Sequence, residues 1–224
     1  MDNRLSHGFL DKIIDKKCLS SVKKECLLFI KQQNNCSNYY KITDNKSINS
    51  KVLINPNLLS KVINLLGDQS PIISAIELHV QKSFCNPIPP HQDNFYHCVN
   101  PEDSLKVLIP LQYLDQSNGG LIFFDSEYDY PILEHLPSNQ QNFSAYINNS
   151  TLTKINLQTS SYKYKKGDAS FHYINSIHFS NGNKTNNDSL FLVFRFENKS
   201  AKIIEENKLK YERCYEAHLN LMDN

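Results

Sequence analysis

The stretch Pro89-Pro90-His91-Gln92-Asp93-Asn94 contains a histidine and an aspartate two positions apart. Side chains alternate between two faces in extended chain, so we expect His91 and Asp93 to point the same way. We predict that His178 reaches the same place from a distant strand. Two histidines and one carboxylate would then bind one face of a metal ion and leave other positions open, which is typical of non-haem Fe(II) oxygenases.

Each of these residues also has an ordinary interpretation. In a chain with 8 histidines, a His-x-Asp spacing arises readily by chance, so His91 and Asp93 could be an incidental surface pair. His178 could be a core histidine on a strand, and His172, six residues earlier, is an alternative distal ligand. The prediction of a metal site therefore depends on what surrounds these residues.

Alternating patterns on both sides of the motif predict strands. The strongest lie at residues 72–80, 105–114, 121–124 and 190–196, with further strands at 151–157, 161–165 and 169–173. Pro87, Pro89 and Pro90 are expected to end the first strand just before His91. Residues 125–150 are rich in Asn, Gln and Ser and contain two prolines, which indicates a long loop and a candidate lid.

Apolar spacing of three and four predicts helices at residues 9–34 and 201–222. A short helix is predicted to begin at Asn55-Pro56 and to end at Gly67. The chain is therefore predicted to be mainly β with flanking helices, around a double-stranded β-helix (jelly-roll, cupin-like) core. We expect one domain over residues 1–224: a helical part at about 1–70, a core at about 71–197 and a C-terminal helix at about 200–222.

The composition excludes several classes of protein. The 224 residues carry a net charge of +1, and no basic stripe interleaved with aromatic residues suggests nucleic acid as a partner. No apolar run is long enough to span a membrane, and the N-terminus lacks the apolar stretch of a signal peptide. The six cysteines are scattered without C-x-x-C pairs: Cys18, Cys26, Cys36, Cys85, Cys98 and Cys214. We therefore expect free thiols and a cytoplasmic protein.

Five segments occur in a fixed order, namely PHQDNFY (90–96), LQYL (111–114), NGGL (118–121), GDASFH (167–172) and HFSNGNKT (178–185). In this order the chain resembles the phytanoyl-CoA dioxygenase family of Fe(II)- and 2-oxoglutarate-dependent oxygenases over roughly residues 72–197. The resemblance implies a jelly roll, iron held by His91, Asp93 and His178, 2-oxoglutarate as co-substrate and O₂ as oxidant. It also implies that the Ser180 hydroxyl contacts a 2-oxoglutarate carboxylate.

The chain departs from the family at one position. The family places an arginine eleven residues beyond the distal histidine, where it binds the far carboxylate of 2-oxoglutarate, and here Ser189 stands there. Arg195 has the same strand parity, but six extended residues span about 20 Å. The lysines Lys106, Lys165 and Lys184 are alternative cations for that carboxylate.

Three functions follow from these features. The first is a 2-oxoglutarate-dependent dioxygenase that hydroxylates a small polar metabolite, because Asp93 keeps the carboxylate that related halogenases replace with a small residue. The second is a non-catalytic jelly-roll binding protein, and the third is a non-haem iron enzyme that does not use 2-oxoglutarate. A small-molecule substrate is expected in the first case, and the sequence leaves the oligomeric state open.

Overall fold

The computed structural model describes residues 4–33, 38–46, 48, 52, 55–140 and 143–223. Its strands, in chain order, are β1 (His7–Leu10), β2 (Tyr39–Lys41), β3 (Ile72–Gln81), β4 (Ile88–Gln92), β5 (Ser104–Pro110), β6 (Leu121–Phe124), β7 (Leu136–Gln140), β8 (Phe143–Tyr146), β9 (Thr159–Ser161), β10 (Ala169–Tyr173), β11 (Ile177–Ser180) and β12 (Ser189–Glu197). Its helices are α1 (Lys16–Gln32), α2 (Pro56–Leu66), α3 (Asn94–His97), α4 (Asn149–Ile155) and α5 (Glu205–Met222).

Two antiparallel sheets form the core. One has the strand order β1-β10-β5-β12-β3-β2, and the other has the order β4-β11-β6-β9. Apolar side chains from both sheets meet between them in an inner cluster, which consists of Leu108, Leu114, Leu121, Phe123, Tyr164, Phe191 and Val193. Two sheets packed face to face in this way form the jelly roll that the sequence predicts.

Helices α1 and α2 cover the outer face of the six-stranded sheet. Side chains of that face, such as Leu78 and Leu192, belong to the same buried cluster as Val22 of α1 and Val62 of α2. Full burial of each such apolar side chain contributes about 1.5–3 kcal/mol to the stability of the fold. Because alternate residues of a strand point to opposite faces, packing on the outer face directs residues such as Glu77 and Phe191 into the space between the sheets.

Helix α2 begins and ends at the residues that the sequence predicts. The Asn55 side chain accepts hydrogen bonds from the backbone N–H groups of Asn57 and Leu58, and Pro56 occupies the first turn. Gly67 ends the helix with φ +68°, a left-handed conformation that glycine adopts at little cost.

Several predicted elements differ from the structure. Residues 7–10 form the edge strand β1, which pairs with β10, and helix α1 begins only at Lys16. Residues 149–155, within and just beyond the predicted loop, form helix α4 rather than loop followed by strand. The predicted loop 125–150 also contains β7 and β8, which pair with each other. Asn148 caps α4 through its side chain, a local signal that outweighs the β-branched residues of the segment.

The prolines of the motif do not end the strand before His91. Pro89 and Pro90 lie inside β4, which is the edge strand of the four-stranded sheet. An edge strand tolerates proline because one row of its backbone groups has no strand partner, so the missing N–H costs nothing on that side. The first predicted strand does end before His91, at Gln81, but Pro89 and Pro90 are not what ends it.

Other predictions are tested only in part. None of the described helices is long and apolar enough to cross a membrane. Cys26, Cys85, Cys98 and Cys214 carry free thiols, and Cys36 lies outside the described residues. The division of residues 1–224 into one domain stays a prediction.

Candidate metal centre

His91, Asp93 and His178 lie together. Each offers one ligand atom, and these atoms all lie within 4.8 Å of one another. The two histidines are direct partners across the β4–β11 pair, and their ring centres are 4.3 Å apart. Nε2 of His178 lies 3.8 Å from Oδ2 of Asp93. All three side chains are buried, so the structure brings together the residues that the sequence predicts as ligands.

Asp93 reaches the site differently from the prediction. Strand β4 ends at Gln92, and Asp93 has helical backbone angles (φ −58°, ψ −33°) at the start of α3. The two ligands thus converge across a strand-to-helix turn rather than on one face of extended chain. Asp93 occupies a helix-capping position, yet its carboxylate makes no capping hydrogen bond and points to other partners.

Backbone carbonyls hold both imidazoles in one tautomer. Nδ1 of His91 donates to the carbonyl of Pro89 at 3.0 Å, and Nδ1 of His178 donates to the carbonyl of Ser176 at 3.0 Å. A carbonyl only accepts, so the proton is on Nδ1 and the Nε2 lone pair is available. Burial lowers the pKa of His91 to about 3 and that of His178 to about 4. Both rings are therefore neutral at pH 7, as metal ligands must be.

Two side chains hold the Asp93 carboxylate. Lys106 donates to Oδ1 at 2.8 Å, and His172 donates through Nε2 to Oδ2 at 3.1 Å. Burial acts to raise the pKa of Asp93, but Lys106 and the neighbouring histidines outweigh it and hold that pKa well below its usual value. The carboxylate stays ionised. His172, the alternative distal ligand, instead contacts the predicted ligand Asp93.

Lys106 belongs to a buried charged group between the sheets. Burial acts to lower its pKa, but Asp93 and Glu77 outweigh this and raise it, so the ammonium stays charged. Arg195 lies directly across from Lys106 on the neighbouring strand. The Arg195 guanidinium donates to Ser74 (2.6 Å) and to Nδ1 of His97 (2.5 Å), and its Nε forms an ion pair with Glu197 at 3.2 Å. The other candidate cations, Lys165 and Lys184, are exposed.

The start of β12 lacks the chemistry of a carboxylate clamp. Ser189 is buried, and its hydroxyl has no hydrogen-bond partner among the described residues. Phe191, two residues on, belongs to the inner cluster and stacks on His79 with 5.1 Å between ring centres. Ser180 is also buried, and its hydroxyl accepts from the backbone N–H of Gly182 at 3.2 Å. Arg195 lies at the opposite end of β12, as its six-residue separation from Ser189 requires.

Gln92 lies between the predicted ligands His91 and Asp93, and the sequence did not single it out. It is fully buried and donates through Nε2 to the carbonyls of Pro131 (3.0 Å) and Asn175 (2.8 Å). Its Oε1 accepts from the backbone N–H of Leu133 at 2.8 Å. The alternation of the strand offers a signal for it, because the residue between two ligands points away from them.

The donor set fits a divalent transition metal such as Fe(II). Imidazole and carboxylate ligands suit this ion, and two histidines with one carboxylate leave coordination positions for small molecules. Aromatic rings border the site, since the ring centre of Phe143 lies 4.9 Å from that of His91 and the ring centre of Phe123 lies 5.9 Å from that of His178. The predicted ligands His91 and His178 thus each have an apolar ring beside them.

No family model matches the chain, and no curated protein matches its sequence. Solved structures match in fold. The epimerase SnoN, in complex with Fe³⁺, alpha ketoglutarate and nogalamycin RO, has a TM-score of 0.73 and 15% identity, covering 91% of this chain and 85% of that chain. EctD from S. alaskensis, with 2-oxoglutarate and 5-hydroxyectoine, has a TM-score of 0.71 and 14% identity, covering 90% of this chain and 75% of that chain.

A third match is the non-heme alpha ketoglutarate dependent carbocyclase SnoK from nogalamycin biosynthesis. Its TM-score is 0.72 at 12% identity, over 92% of this chain and 86% of that chain. Identities this low show a common fold and nothing finer. The chain therefore has a fold that non-haem, alpha ketoglutarate-dependent enzymes also have.

Proposed function

We propose that the protein is an Fe(II)- and 2-oxoglutarate-dependent dioxygenase. The observation that carries the proposal is the convergence of His91, Asp93 and His178, with both imidazoles held in the tautomer that leaves Nε2 free. The fold supports it, because matching structures contain iron or 2-oxoglutarate. The five ordered sequence segments favour a branch similar to the phytanoyl-CoA dioxygenases.

The residues around the metal would have distinct tasks. His91, Asp93 and His178 would hold iron, and with 2-oxoglutarate and O₂ the iron would supply an oxidant for C–H bonds while succinate and CO₂ form. Lys106 and His172 would keep the Asp93 carboxylate ionised and oriented. Phe143 borders His91 and would limit the access of water to the site.

We assign Lys106 as the anchor for the far carboxylate of 2-oxoglutarate. Among the described residues considered for this role, it is the lysine that is buried beside a metal ligand. Arg195 lies next to it across the sheet but already binds Glu197, Ser74 and His97, so we place it as support. Ser180 and Ser189 would offer 2-oxoglutarate uncharged hydroxyl groups and no positive charge.

The substrate is proposed to be a small polar molecule. Glu77, Lys106 and Arg195 form a charged group at the site, and charged walls favour polar substrates over hydrocarbon chains. The matching structures were solved with small molecules, nogalamycin RO and 5-hydroxyectoine. Those ligands belong to those proteins, and we propose only the class.

An iron enzyme that does not use 2-oxoglutarate is the second candidate. The observation that favours it is the start of β12, where Ser189 replaces the family arginine and Phe191 fills the space beyond. In that case Lys106 would hold the Asp93 carboxylate and would bind no co-substrate.

The test is succinate formation from 2-oxoglutarate by the protein loaded with Fe(II) in air, measured together with O₂ consumption. We expect succinate at a slow rate without a substrate, its loss in Asp93→Ala, and a raised KM for 2-oxoglutarate in Lys106→Met. Iron binding without succinate would support the second candidate. Absence of iron binding would leave the non-catalytic binding protein.

A further inference from the structure

Three side chains outside the metal centre form a partly buried hydrogen-bonded row, with His7 buried in the middle. The hydroxyl of Tyr162 lies 2.7 Å from Nδ1 of His7, and Nε2 of His7 lies 3.1 Å from Oδ1 of Asp125. Ser160 donates to the other carboxylate oxygen of Asp125 at 3.0 Å. His7 lies in β1, Asp125 directly follows β6, and Ser160 and Tyr162 lie in and just after β9, so tertiary structure alone brings them together.

The row has a defined direction. Asp125 shows no donor of its own when ionised, so Nε2 of His7 carries the proton toward it and Nδ1 presents a lone pair. The Tyr162 hydroxyl then donates to that lone pair. Burial lowers the pKa of His7 and raises the pKa of Tyr162 to about 12, so both groups are neutral at rest. The Tyr162 phenol is thus hydrogen-bonded to an unprotonated ring nitrogen, Nδ1 of His7, which can accept its proton.

The row is in contact with the metal centre through one ring. His7 stacks on Phe123 with 4.6 Å between ring centres and 17° between planes. The ring centre of Phe123 lies 6.0 Å from that of Tyr162 and 5.9 Å from that of His178. Tyr162 is therefore separated from a predicted metal ligand by a single aromatic side chain.

The other end of the row reaches solvent. The Asp125 side chain is 32% exposed, whereas that of His7 is 3% exposed. Asp125 also lines an open cavity of about 540 Å³, together with Arg4, Glu127 and Asp129. A proton that arrives at His7 would therefore have a carboxylate beside it that is in contact with water.

Tyr164 provides an internal comparison. Its ring centre lies 6.0 Å from that of Tyr162, and it is more deeply buried. Its hydroxyl donates to Ser170 at 2.8 Å, and a serine hydroxyl is not a base at neutral pH. Phenols become strongly acidic when they lose an electron, so oxidation is easy only where a base can take the proton. Tyr162 has such a base and Tyr164 has a hydroxyl instead.

We propose that Tyr162 is a redox-active tyrosine. It gives one electron to a one-electron oxidant that iron forms from O₂, and its phenolic proton moves to Nδ1 of His7, which leaves a neutral tyrosyl radical and an imidazolium paired with Asp125. The step rests on the proposed function for its oxidant. Its use is to remove oxidising equivalents from the metal centre when no substrate is bound.

The first experiment does not need iron. The metal-free protein is oxidised by flash photolysis with a ruthenium photo-oxidant and a sacrificial electron acceptor, frozen, and examined by electron paramagnetic resonance. A nitroso spin trap followed by peptide mapping locates the radical. Wild type is compared with Tyr162→Phe, with the matched control Tyr164→Phe, and with His7→Gln, which can hydrogen-bond but is not basic. Asp125→Asn serves if His7→Gln does not fold, as judged by circular dichroism.

We expect a tyrosyl radical that is lost in Tyr162→Phe, kept in Tyr164→Phe and reduced in His7→Gln or Asp125→Asn. A signal that survives Tyr162→Phe, or a yield that is the same with and without the base, would overturn the proposal.

The second experiment uses Fe(II), 2-oxoglutarate and O₂ without a substrate. The same radical at Tyr162 would support the proposal, and iron binding with succinate formation but no radical would overturn its link to the metal. If iron does not bind, the proposed function fails, and the photochemical comparison alone decides whether Tyr162 and His7 form a redox pair.

Discussion

Asp93 is the residue at which the charges of the site meet. Its carboxylate accepts from Lys106 and His172 and lies 3.8 Å from His178, all in a buried setting. A buried charge without partners is costly, and removing one member of a buried pair typically costs about 3–5 kcal/mol because the other is left uncompensated. The carboxylate therefore stabilises the protein before any metal binds.

Replacing Asp93 should reveal this dependence. In Asp93→Asn, the ammonium of Lys106 loses its ion-pair partner, so we expect the free energy of unfolding to fall by about 3–5 kcal/mol. The double variant Asp93→Asn/Lys106→Met removes both charges and should recover most of that loss. Urea unfolding of the metal-free variants measures both quantities. A double variant that is less stable than Asp93→Asn would contradict the account of this pair.

His172 should act on metal affinity through Asp93. His172→Phe removes the hydrogen bond to Oδ2 of Asp93, and losing a partner of this kind typically costs 10–100-fold, so we expect roughly that decrease in Fe(II) affinity. His172→Gln keeps a donor and should lie closer to wild type. Anaerobic Fe(II) titrations of the two variants check the difference. Equal affinities would show that the hydrogen bond does not orient Asp93.

At the scale of elements, the segment from residue 130 to residue 135 is hydrogen-bonded to β4 and to the residue before β11, the two strands that carry the predicted ligands His91 and His178. Gln92 of β4 bonds to Pro131 and Leu133, and its backbone N–H donates to the His135 ring at 3.1 Å. Asn175, just before β11, donates to the carbonyl of Tyr130 at 2.7 Å. A change in this segment should therefore reach the ligands His91 and His178 through the backbone.

Gln92→Met tests this connection. It keeps the side-chain volume but leaves the Leu133 N–H and two carbonyls without a partner, and each buried unsatisfied group costs about 1–3 kcal/mol. We expect a loss of about 3 kcal/mol or more in unfolding free energy, with weaker Fe(II) binding. Gln112→Met, at a half-buried position, should cost much less. If urea unfolding showed the same loss of unfolding free energy in Gln92→Met and Gln112→Met, the hydrogen bonds of Gln92 would have no special role.

How far the sequence predicts the elements depends on whether the signal is local. Nearby residues predict the caps of α2, the long strands β3, β5 and β12, and the proximity of His91 to Asp93. The sequence did not predict that Pro89 and Pro90 lie within a strand, because an edge strand tolerates proline and only the order of the strands shows that β4 is an edge strand. The predicted helix 9–34 includes Phe9 and Leu10, which belong to β1, because only the pairing of β1 with β10 decides their structure.

The sequence does not predict which distant elements contact each other. Lys106 appeared only as one of three lysines, and its pairing with Asp93 arises from the position of β5 across the core from α3. The Tyr162–His7–Asp125 row has no signal in local spacing, and the alternation around Gln92 predicts the direction of its side chain but not its hydrogen-bond partners.

At the scale of the whole molecule, buried neutral histidines make stability depend on pH. Burial lowers the pKa of His91 and His97 to about 3 and that of His135 and His178 to about 4. Unfolded histidines titrate near 6.5, so below that pH the unfolded state binds more protons than the folded state. Stability is therefore full above pH 6.5 and is lost as the pH falls toward 4.

Urea unfolding of the metal-free protein between pH 7 and pH 4.5 measures this loss. Each such histidine should contribute a slope approaching about 1.4 kcal/mol per pH unit once the pH is well below 6.5. His135→Gln should remove one histidine's share of that slope while leaving the metal ligands in place. A free energy of unfolding that is flat from pH 7 to pH 4.5 would show that these rings are not held neutral.

The central claim is that His91, Asp93 and His178 bind iron and leave room for 2-oxoglutarate. It is tested most directly by titrating the metal-free protein with Fe(II) and then 2-oxoglutarate under anaerobic conditions, while following the visible metal-to-ligand charge-transfer band. The account predicts one iron per chain and a band that appears with 2-oxoglutarate, and it predicts the loss of both in His91→Ala. Iron binding that survives His91→Ala, or no binding at all, would contradict it.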